Sequence, residues 1–115
     1  MNITTTIDGT SATIAAHGDI DFDTLPPLRA AAAALPPHIR DLQWDLTGTA
    51  FMDVAGLHLL FRATATSPDC RTTVTGLGPQ PLWLLLRAAD ADPATFDLSR
   101  LLPDVPPPGF RPATA

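Results

Sequence analysis

The chain has 115 residues, with twelve aspartates, seven arginines and no glutamate or lysine, and its net charge is −5. This length fits one domain whose core needs no disulfide or structural metal. The acidic balance and the scattered arginines argue against a nucleic-acid-binding protein, which needs a basic stripe to contact phosphates. The N-terminus has no signal-peptide features and no apolar run reaches membrane-spanning length, which predicts a soluble cytoplasmic protein.

The chain opens with two predicted strands that are rich in Thr and Ile, residues 3–7 and 11–17. Asp8-Gly9 between them is a strong signal for a two-residue hairpin turn. The first two strands are therefore predicted to be antiparallel.

Four ionisable side chains follow within seven residues: His17, Asp19, Asp21 and Asp23. Their spacing is similar to the start of a calcium-binding loop, but such a loop needs a Gly after the third acid and a closing Glu. Thr24 stands in place of the Gly, and the chain contains no Glu. We interpret the segment as a solvated loop that begins the next helix, and we predict no metal site and no cofactor.

Helices and strands alternate over the rest of the chain. Pro26-Pro27 fit the first turn of a helix that begins near Thr24 and ends before Pro36-Pro37. The next predicted elements are a strand at 41–46, a helix from Asp53, a strand at 71–77, a helix at 82–89 and a short segment at 94–102. This order predicts an α/β fold with a mixed sheet of four to five strands, an opening antiparallel hairpin and helices packed mainly on one face.

The third helix is more apolar than one buried face requires, because it contains Trp83 and the run 84–86. We interpret this excess as core together with contact to the tail, in preference to an exposed interface. The tail, residues 103–115, holds five of the thirteen prolines and is expected to run extended or disordered over the surface. The predicted domain is thus 1–102, followed by a Pro-rich tail.

The stretch 45–62, D-L-T-G-T-A-F-M-D-V-A-G-L-H-L-L-F-R, changes from strand-like alternation to helical spacing. Gly56 lies in the first turn of that helix, where Gly costs up to about 1 kcal/mol relative to Ala, so a close approach to its backbone is expected. One side of the helix is predicted to face the sheet, through Leu57, Leu60, Phe61 and Thr64. The other side is predicted to carry a strip that a partner could cover, made of Ala55, His58, Leu59 and Arg62.

Three segments resemble motifs of the STAS domain family, the fold of bacterial anti-sigma factor antagonists. They are G-D-I-D-F at 18–22, D-L-T-G-T-A-F-M-D-V-A-G-L-H-L-L at 45–60, and T-G-L-G-P-Q-P-L at 75–82. The resemblance covers nearly the whole chain up to about Leu102. It implies a mixed sheet with helices on one side and a non-enzymatic role.

In that family the middle motif reads F-M-D-S-S-G-L or F-M-D-S-T-G-L, and a kinase partner phosphorylates a hydroxyl directly after the aspartate. Val54 and Ala55 occupy those positions here and cannot accept phosphate. Thr47 and Thr49 lie before the turn and are expected to form hydrogen bonds at the strand end. The resemblance therefore implies a binding domain without the usual phosphorylation switch.

An enzymatic role is not predicted. His17, His38 and His58 are far apart in sequence, no Ser or Cys stands in a nucleophile elbow, and residues 76–78 lack the later Gly and the Lys of a phosphate-binding loop. No catalytic residue is therefore assigned.

Three functions remain open. The first is an interaction domain that resembles an anti-sigma factor antagonist and binds an ATP-binding anti-sigma factor with a kinase-like fold. The alternatives are a STAS adaptor on a transporter ATPase or larger signalling complex, which the resemblance also implies, and a module that senses a small ligand through residues 19–23 and the turn at Asp53. The loop residues Asp19 and Asp21 are expected near the site. The predicted partner-binding residues are Asp53, Val54, Ala55, Gly56, His58, Leu59 and Arg62.

Overall fold

The computed structural model describes residues 1–62 and 70–102, with the side chain of Arg62 outside the described part. Its elements follow the predicted order. They are β1 (Asn2–Asp8), β2 (Ser11–His17), α1 (Leu25–Ala33), β3 (Asp41–Gly48), α2 (Val54–Arg62), β4 (Arg71–Thr75) and α3 (Pro79–Ala91), and Leu98–Arg100 forms a short 3₁₀ helix. Three predicted features lie outside the described residues: the position of Thr64, the end of the second helix at 67–69 and the tail at 103–115.

The four strands form one mixed sheet in the order β1-β2-β3-β4. β1 pairs antiparallel with β2, and β2, β3 and β4 run parallel. Asp8 pairs with Ser11, so the hairpin turn consists of Gly9 and Thr10, one residue later than predicted. Gly9 has a φ of +63°, which lies in the left-handed region that favours glycine. The predicted fold class is confirmed.

One face of the sheet is buried and the other is open. Alternate residues of the central strands point into the core, as the two-residue period of a strand requires. These buried residues are Ala12, Ile14 and Ala16 of β2 and Leu42, Trp44 and Leu46 of β3. They form one hydrophobic cluster with side chains of α1, α2 and α3. The helices therefore cover a single face, as predicted, and the open face carries polar side chains such as Thr13 and Gln43.

The third helix begins at Pro79, three residues before the predicted start at 82. Gly78 is its N-cap and proline fits the first turn, where the missing amide has no partner in the helix. Leu85 is in the core, whereas Trp83 and Leu86 are exposed. The interpretation of the apolar side chains of this helix as core residues is therefore right for Leu85 and wrong for Trp83 and Leu86. The expected contact with the tail stays a prediction, because the tail is outside the described residues.

Within 1–62 and 70–102, no helix combines the length and the apolar character needed to cross a membrane.

Candidate functional site

The candidate site lies at the edge where the parallel strands end. β2 ends at His17, β3 at Gly48 and β4 at Thr75, and a loop leads from each of them to the next helix. The amide of Gly18 donates to the carbonyl of Gly48 at 3.1 Å, which joins the first two loops directly after the strands. In open α/β sheets this edge is a common place for binding sites.

The loops after β2 and β3 continue to pair beyond the strands. Ile20 and Met52 form an isolated parallel bridge. The Ile20 amide donates to the Phe51 carbonyl, and the Asp53 amide donates to the Ile20 carbonyl, both at 3.0 Å. The loop with Asp19 therefore lies beside the turn that starts α2.

Gln80 of α3 ties the third loop to the same turn. Its side-chain carbonyl accepts from the Met52 amide at 2.8 Å, and its side-chain amide donates to the Met52 carbonyl at 2.9 Å. Both polar groups of the Met52 backbone are thereby satisfied on that side. Sequence reasoning did not assign a role to Gln80. The only signal was its place in the third family-like motif at 75–82.

Gly56 is required because the Met52 side chain packs against its backbone. A Cβ at position 56 would collide with Met52 Cγ, would lie 2.5 Å from Met52 Sδ and would lie 3.2 Å from Ile20 Cγ2. Met52 and Ile20 are both fully buried. The expected close approach to the Gly56 backbone is therefore present. It lets α2 pack tightly against the paired loops.

Asp53 caps the first turn of α2. Its Oδ1 accepts from the Ala55 amide at 2.8 Å, and its backbone carbonyl accepts from the Gly56 amide at 3.0 Å. A carboxylate at this position accepts a hydrogen bond from a free amide and interacts favourably with the positive end of the helix dipole. The aspartate at the helix mouth is thus used in the structure of the turn itself.

Asp21 and Thr24 hold the neighbouring loop. The Thr24 amide donates to Asp21 Oδ1 at 3.0 Å, and the Asp21 amide donates to the Thr24 hydroxyl oxygen at 2.9 Å. The Asp21 carboxylate therefore has a role inside the loop, whereas Thr24, the N-cap of α1, makes no side-chain capping bond to the helix. Across the described ranges, no group of three or more His, Cys, Asp or Glu side chains is placed to hold a metal ion.

Three large apolar side chains are exposed on this frame: Phe22 is 78% exposed, Val54 57% and Phe51 45%. Phe22 lies in the loop after β2, Phe51 in the loop after β3, and Val54 is the first residue of α2. Asp19 and Asp23 are exposed beside Phe22 in sequence. Sequence reasoning did not select Phe22 or Phe51, although both lie inside the family-like motifs.

The structure corrects the predicted partner-binding strip on α2. Leu59 is fully buried and Gly56 is also buried, so neither offers a side-chain surface to a partner. The prediction placed one side of α2 against the sheet and the strip on the other side, and in the structure α1 also contacts this helix. Ala55 and His58 are half-buried, and the His58 ring lies 6.5 Å from the ring of Phe96. The side chain of Arg62 is outside the described residues.

The hydroxyls that precede the turn are engaged at the end of β3, as expected. Thr49 is buried, and its hydroxyl donates to the Ala16 carbonyl at 3.2 Å. The Thr47 hydroxyl and amide donate to Asp45 Oδ1 at 2.6 and 3.0 Å. These bonds hold the pKa of the Asp45 carboxyl below its usual value, with a smaller contribution from the nearby His17 and a partial opposing effect of burial.

Comparison with known protein families identifies a family that matches most of the chain. The sequence profile of the family described as "Mlab, STAS domain" matches residues 3–93. The match contains the whole edge formed by the three loops. No protein in the curated collection matches the chain.

Proposed function

Because the chain belongs to the Mlab, STAS domain family, we propose that it is a non-enzymatic protein-protein interaction domain that binds a partner at the edge where β2 and β3 end. STAS domains are generally interaction modules. The proposed contact surface, called the α2 surface below, consists of Asp19, Phe22, Phe51, Asp53, Val54, Ala55 and His58. The domain is proposed to span 1–102.

The observation that carries this proposal is the exposure of Phe22 and Phe51 on hydrogen-bonded loops and of Val54 at the start of α2. Single exposed apolar residues are common, but aromatic side chains on a rigid frame are typical of the centres of protein interfaces. The backbone beneath them is fixed by the Ile20–Met52 bridge and by Gln80. A partner would therefore bind a surface that is already formed.

The charge around the α2 surface indicates the chemistry of the partner. Asp19, Asp23 and Asp53 surround the exposed apolar side chains along the sequence, and the chain has a net charge of −5. Interfaces pair an apolar centre with a rim of complementary charge. We expect the partner to present an apolar patch bordered by arginine or lysine.

We further propose that binding is constitutive with respect to phosphorylation at the start of α2. Val54 and Ala55 have no hydroxyl, and Thr49 is buried. Phosphate at a helix N-terminus would add nearly two negative charges and would change the contact with a partner. Without an acceptor at positions 54 and 55, the exposed Val54 side chain contributes apolar contact area instead.

The resemblance supports two classes of partner. The first is an anti-sigma factor with an ATP-binding, kinase-like fold, for which this chain would act as an antagonist. The second is the ATPase subunit of a transporter, or a larger signalling complex, for which it would act as an adaptor. The lack of a phosphate acceptor at Val54 favours the second class, because an adaptor needs no kinase-operated release.

Affinity capture from a cell lysate of the source organism tests the proposal with two matched variants. Val54→Glu places a negative charge on the α2 surface. A glutamate in the first turn interacts favourably with the helix dipole, so the fold is expected to stay intact. Leu86→Glu places the same charge on the exposed side of α3. We expect the partner captured by the wild type to be lost with Val54→Glu and retained with Leu86→Glu. Equal capture by both variants would show that the α2 surface is not the binding site.

The identity of the captured protein separates the alternatives. A kinase-like anti-sigma factor supports the antagonist role, and a transporter ATPase supports the adaptor role. A small-ligand sensor would instead show a ligand-dependent rise in thermal stability of the isolated chain. Incubation of the chain with ATP and the captured partner is expected to leave the chain without phosphate, and phosphothreonine at Thr47 would contradict constitutive binding.

A further inference from the structure

A second site of unassigned function lies at the opposite end of the strands, where β4 begins and α2 ends. A hollow of about 230 Å³ opens there beside the edge of the sheet. Leu60, Phe61 and Leu101 give it an apolar wall, and all three side chains belong to the buried core. Its polar lining includes Thr72, Arg71 and Arg100. The hollow therefore combines apolar surface with donors of hydrogen bonds.

Thr72 supplies an unusual feature of this hollow. The residue is only 7% exposed, and its hydroxyl has no hydrogen-bond partner within the described part of the chain. A buried hydroxyl without a partner has lost its hydrogen bond to water and gained none in the fold, which destabilises the folded state. Such groups are rare in folded proteins and point to a ligand or to a role outside the fold. Because Thr72 lines the hollow, a bound molecule could accept its hydrogen bond.

Two arginines enclose the same place. Arg71 and Arg100 line this hollow and also a second hollow of about 320 Å³. The neighbouring Ser99 hydroxyl donates to Asp97 Oδ1 at 2.6 Å, so that hydroxyl is already used. The arginines are the charged donors that remain, and guanidinium groups bind carboxylates through two parallel hydrogen bonds.

The acidic groups near the hollow do not cancel both arginines. Asp41 is the partner of Arg71 in the β3–β4 register and faces the open side of the sheet. Burial, together with the Asp41 carboxylate, raises the pKa of the Cys70 thiol, which also lines the hollow. The thiol is therefore uncharged at neutral pH and does not repel an anion. Arg100, at the end of the 3₁₀ helix, supplies the positive charge that lines the hollow beside Thr72.

We propose that this hollow binds a small organic anion, namely a carboxylate that carries a short apolar chain. The carboxylate would bind Arg100 and accept a hydrogen bond from the Thr72 hydroxyl, and the apolar chain would contact Leu60, Phe61 and Leu101. The Arg71 side chain lies on the open side of the sheet, beside its register partner Asp41, and is not part of this contact. The volume of about 230 Å³ is sufficient for a small molecule of about six carbon atoms. This site is independent of the α2 surface and of the partner that binds there.

Titration of the ¹⁵N-labelled full chain with sodium hexanoate tests the proposal by NMR. We expect saturable shifts at the amides of residues 71–72 and 100–101. Acetate lacks the apolar chain and hexan-1-ol lacks the charge, so each is expected to bind at least about tenfold more weakly. Inorganic phosphate at equal ionic strength shows whether any anion suffices. Absence of saturation with hexanoate, shifts elsewhere, or equal binding of hexanol or phosphate would overturn the assignment.

Two variants identify the groups that bind. Arg100→Gln is expected to weaken hexanoate binding about tenfold, whereas Arg29→Gln, an exposed arginine on α1, is expected to leave it unchanged. Thr72→Val removes the hydroxyl and is expected to weaken binding while it preserves or raises the unfolding temperature, because no hydrogen bond is lost in the free protein. Equal binding by Arg100→Gln and Arg29→Gln would contradict the proposal, even if Thr72→Val fails to fold.

Discussion

Two of the regions that expose large apolar side chains, the α2 surface and one side of α3, are built differently. The α2 surface draws Phe22, Phe51 and Val54 from separate segments that are joined by backbone hydrogen bonds. The exposed side of α3 carries Trp83 and Leu86 on a single helix. Exposed hydrophobicity is therefore similar in the two regions, but only the first has a frame assembled from several elements.

This difference separates a surface that is held for recognition from a helix face that is merely apolar. On α3, the Arg87 guanidinium lies 5.5 Å from the centre of the Trp83 ring and interacts with part of its surface. Beneath the α2 surface, the polar groups of the loops form hydrogen bonds with each other, with Gln80 and with Asp53, and Ile20 and Met52 form a β-bridge. Changes to this frame should therefore reduce both stability and binding, and changes on the α3 side should reduce neither.

The largest effect is expected for Gly56→Ala. The new methyl group would collide with the fully buried Met52 side chain, and overpacking of this kind costs about 2–3 kcal/mol even after the gain in helix propensity. Gly78→Ala, at the N-cap of α3, meets only ordinary contacts and is expected to cost about 0.5–1 kcal/mol, because Ala is less favourable than Gly at an N-cap. Urea unfolding of both variants measures the difference. Equal free energies of unfolding would show that the frame tolerates a side chain at 56.

The next effect is expected for Gln80→Ala. It removes both hydrogen bonds to the Met52 backbone and should cost about 1–2 kcal/mol of stability. Gln43→Ala, on the open face of the sheet, is the control and should change stability by less than about 0.5 kcal/mol. Thermal or urea unfolding compares the two. A neutral Gln80→Ala would mean that the third loop does not support the α2 surface.

A smaller effect is expected for Asp53→Ala, which removes the cap of α2 and should cost about 1 kcal/mol. Asp53→Asn keeps an oxygen acceptor and should recover most of this loss. Asp92→Ala at the end of α3 removes a longer bond of 3.3 Å to the Thr95 amide and should cost less than Asp53→Ala. The order of the three unfolding free energies tests the importance of the cap.

The smallest effect concerns pH and the end of β3. The Asp45 pKa is lowered mainly by the Thr47 hydroxyl, so Asp45 stabilises the fold above its unfolded pKa, and this contribution is lost as pH falls through the folded pKa. Thr47→Val should raise the Asp45 pKa toward its usual value and reduce stability only above that range. Thr75→Val at the neighbouring position of β4 should leave the pKa unchanged. NMR titration of the Asp45 carboxyl measures both variants.

Much of the fold could be predicted because local signals and periodicity agreed. β2 was predicted at 11–17, and the structure has Ser11–His17. The alternation of Leu42, Trp44 and Leu46 identified the buried face of β3. The ends of the elements are predicted less accurately, because a Gly or Pro can either stop a helix or belong to its first turn. The helix α3 begins at Pro79, earlier than predicted, since proline is tolerated in the first turn.

The site could be placed from the sequence, but its details could not. The family-like motifs located the turn before α2, yet helical spacing assigned Leu59 to the strip that a partner could cover. In the structure Leu59 is fully buried, and the packing of other elements around α2 cannot be derived from the spacing within one helix. The pairing of Gln80 with Met52 joins residues that are 28 positions apart in sequence, and no local pattern contains it. The sequence does not identify Phe22 and Phe51 as site residues, because the exposure of an aromatic side chain depends on the tertiary structure.

The most direct test of the α2 surface is amide hydrogen exchange of the chain with and without its captured partner. The account predicts increased protection at residues 19–24 and 51–58, with unchanged exchange at 82–90 on α3. Protection confined to 82–90, with no change at the α2 surface, would contradict the central claim and would assign recognition to the apolar side of α3.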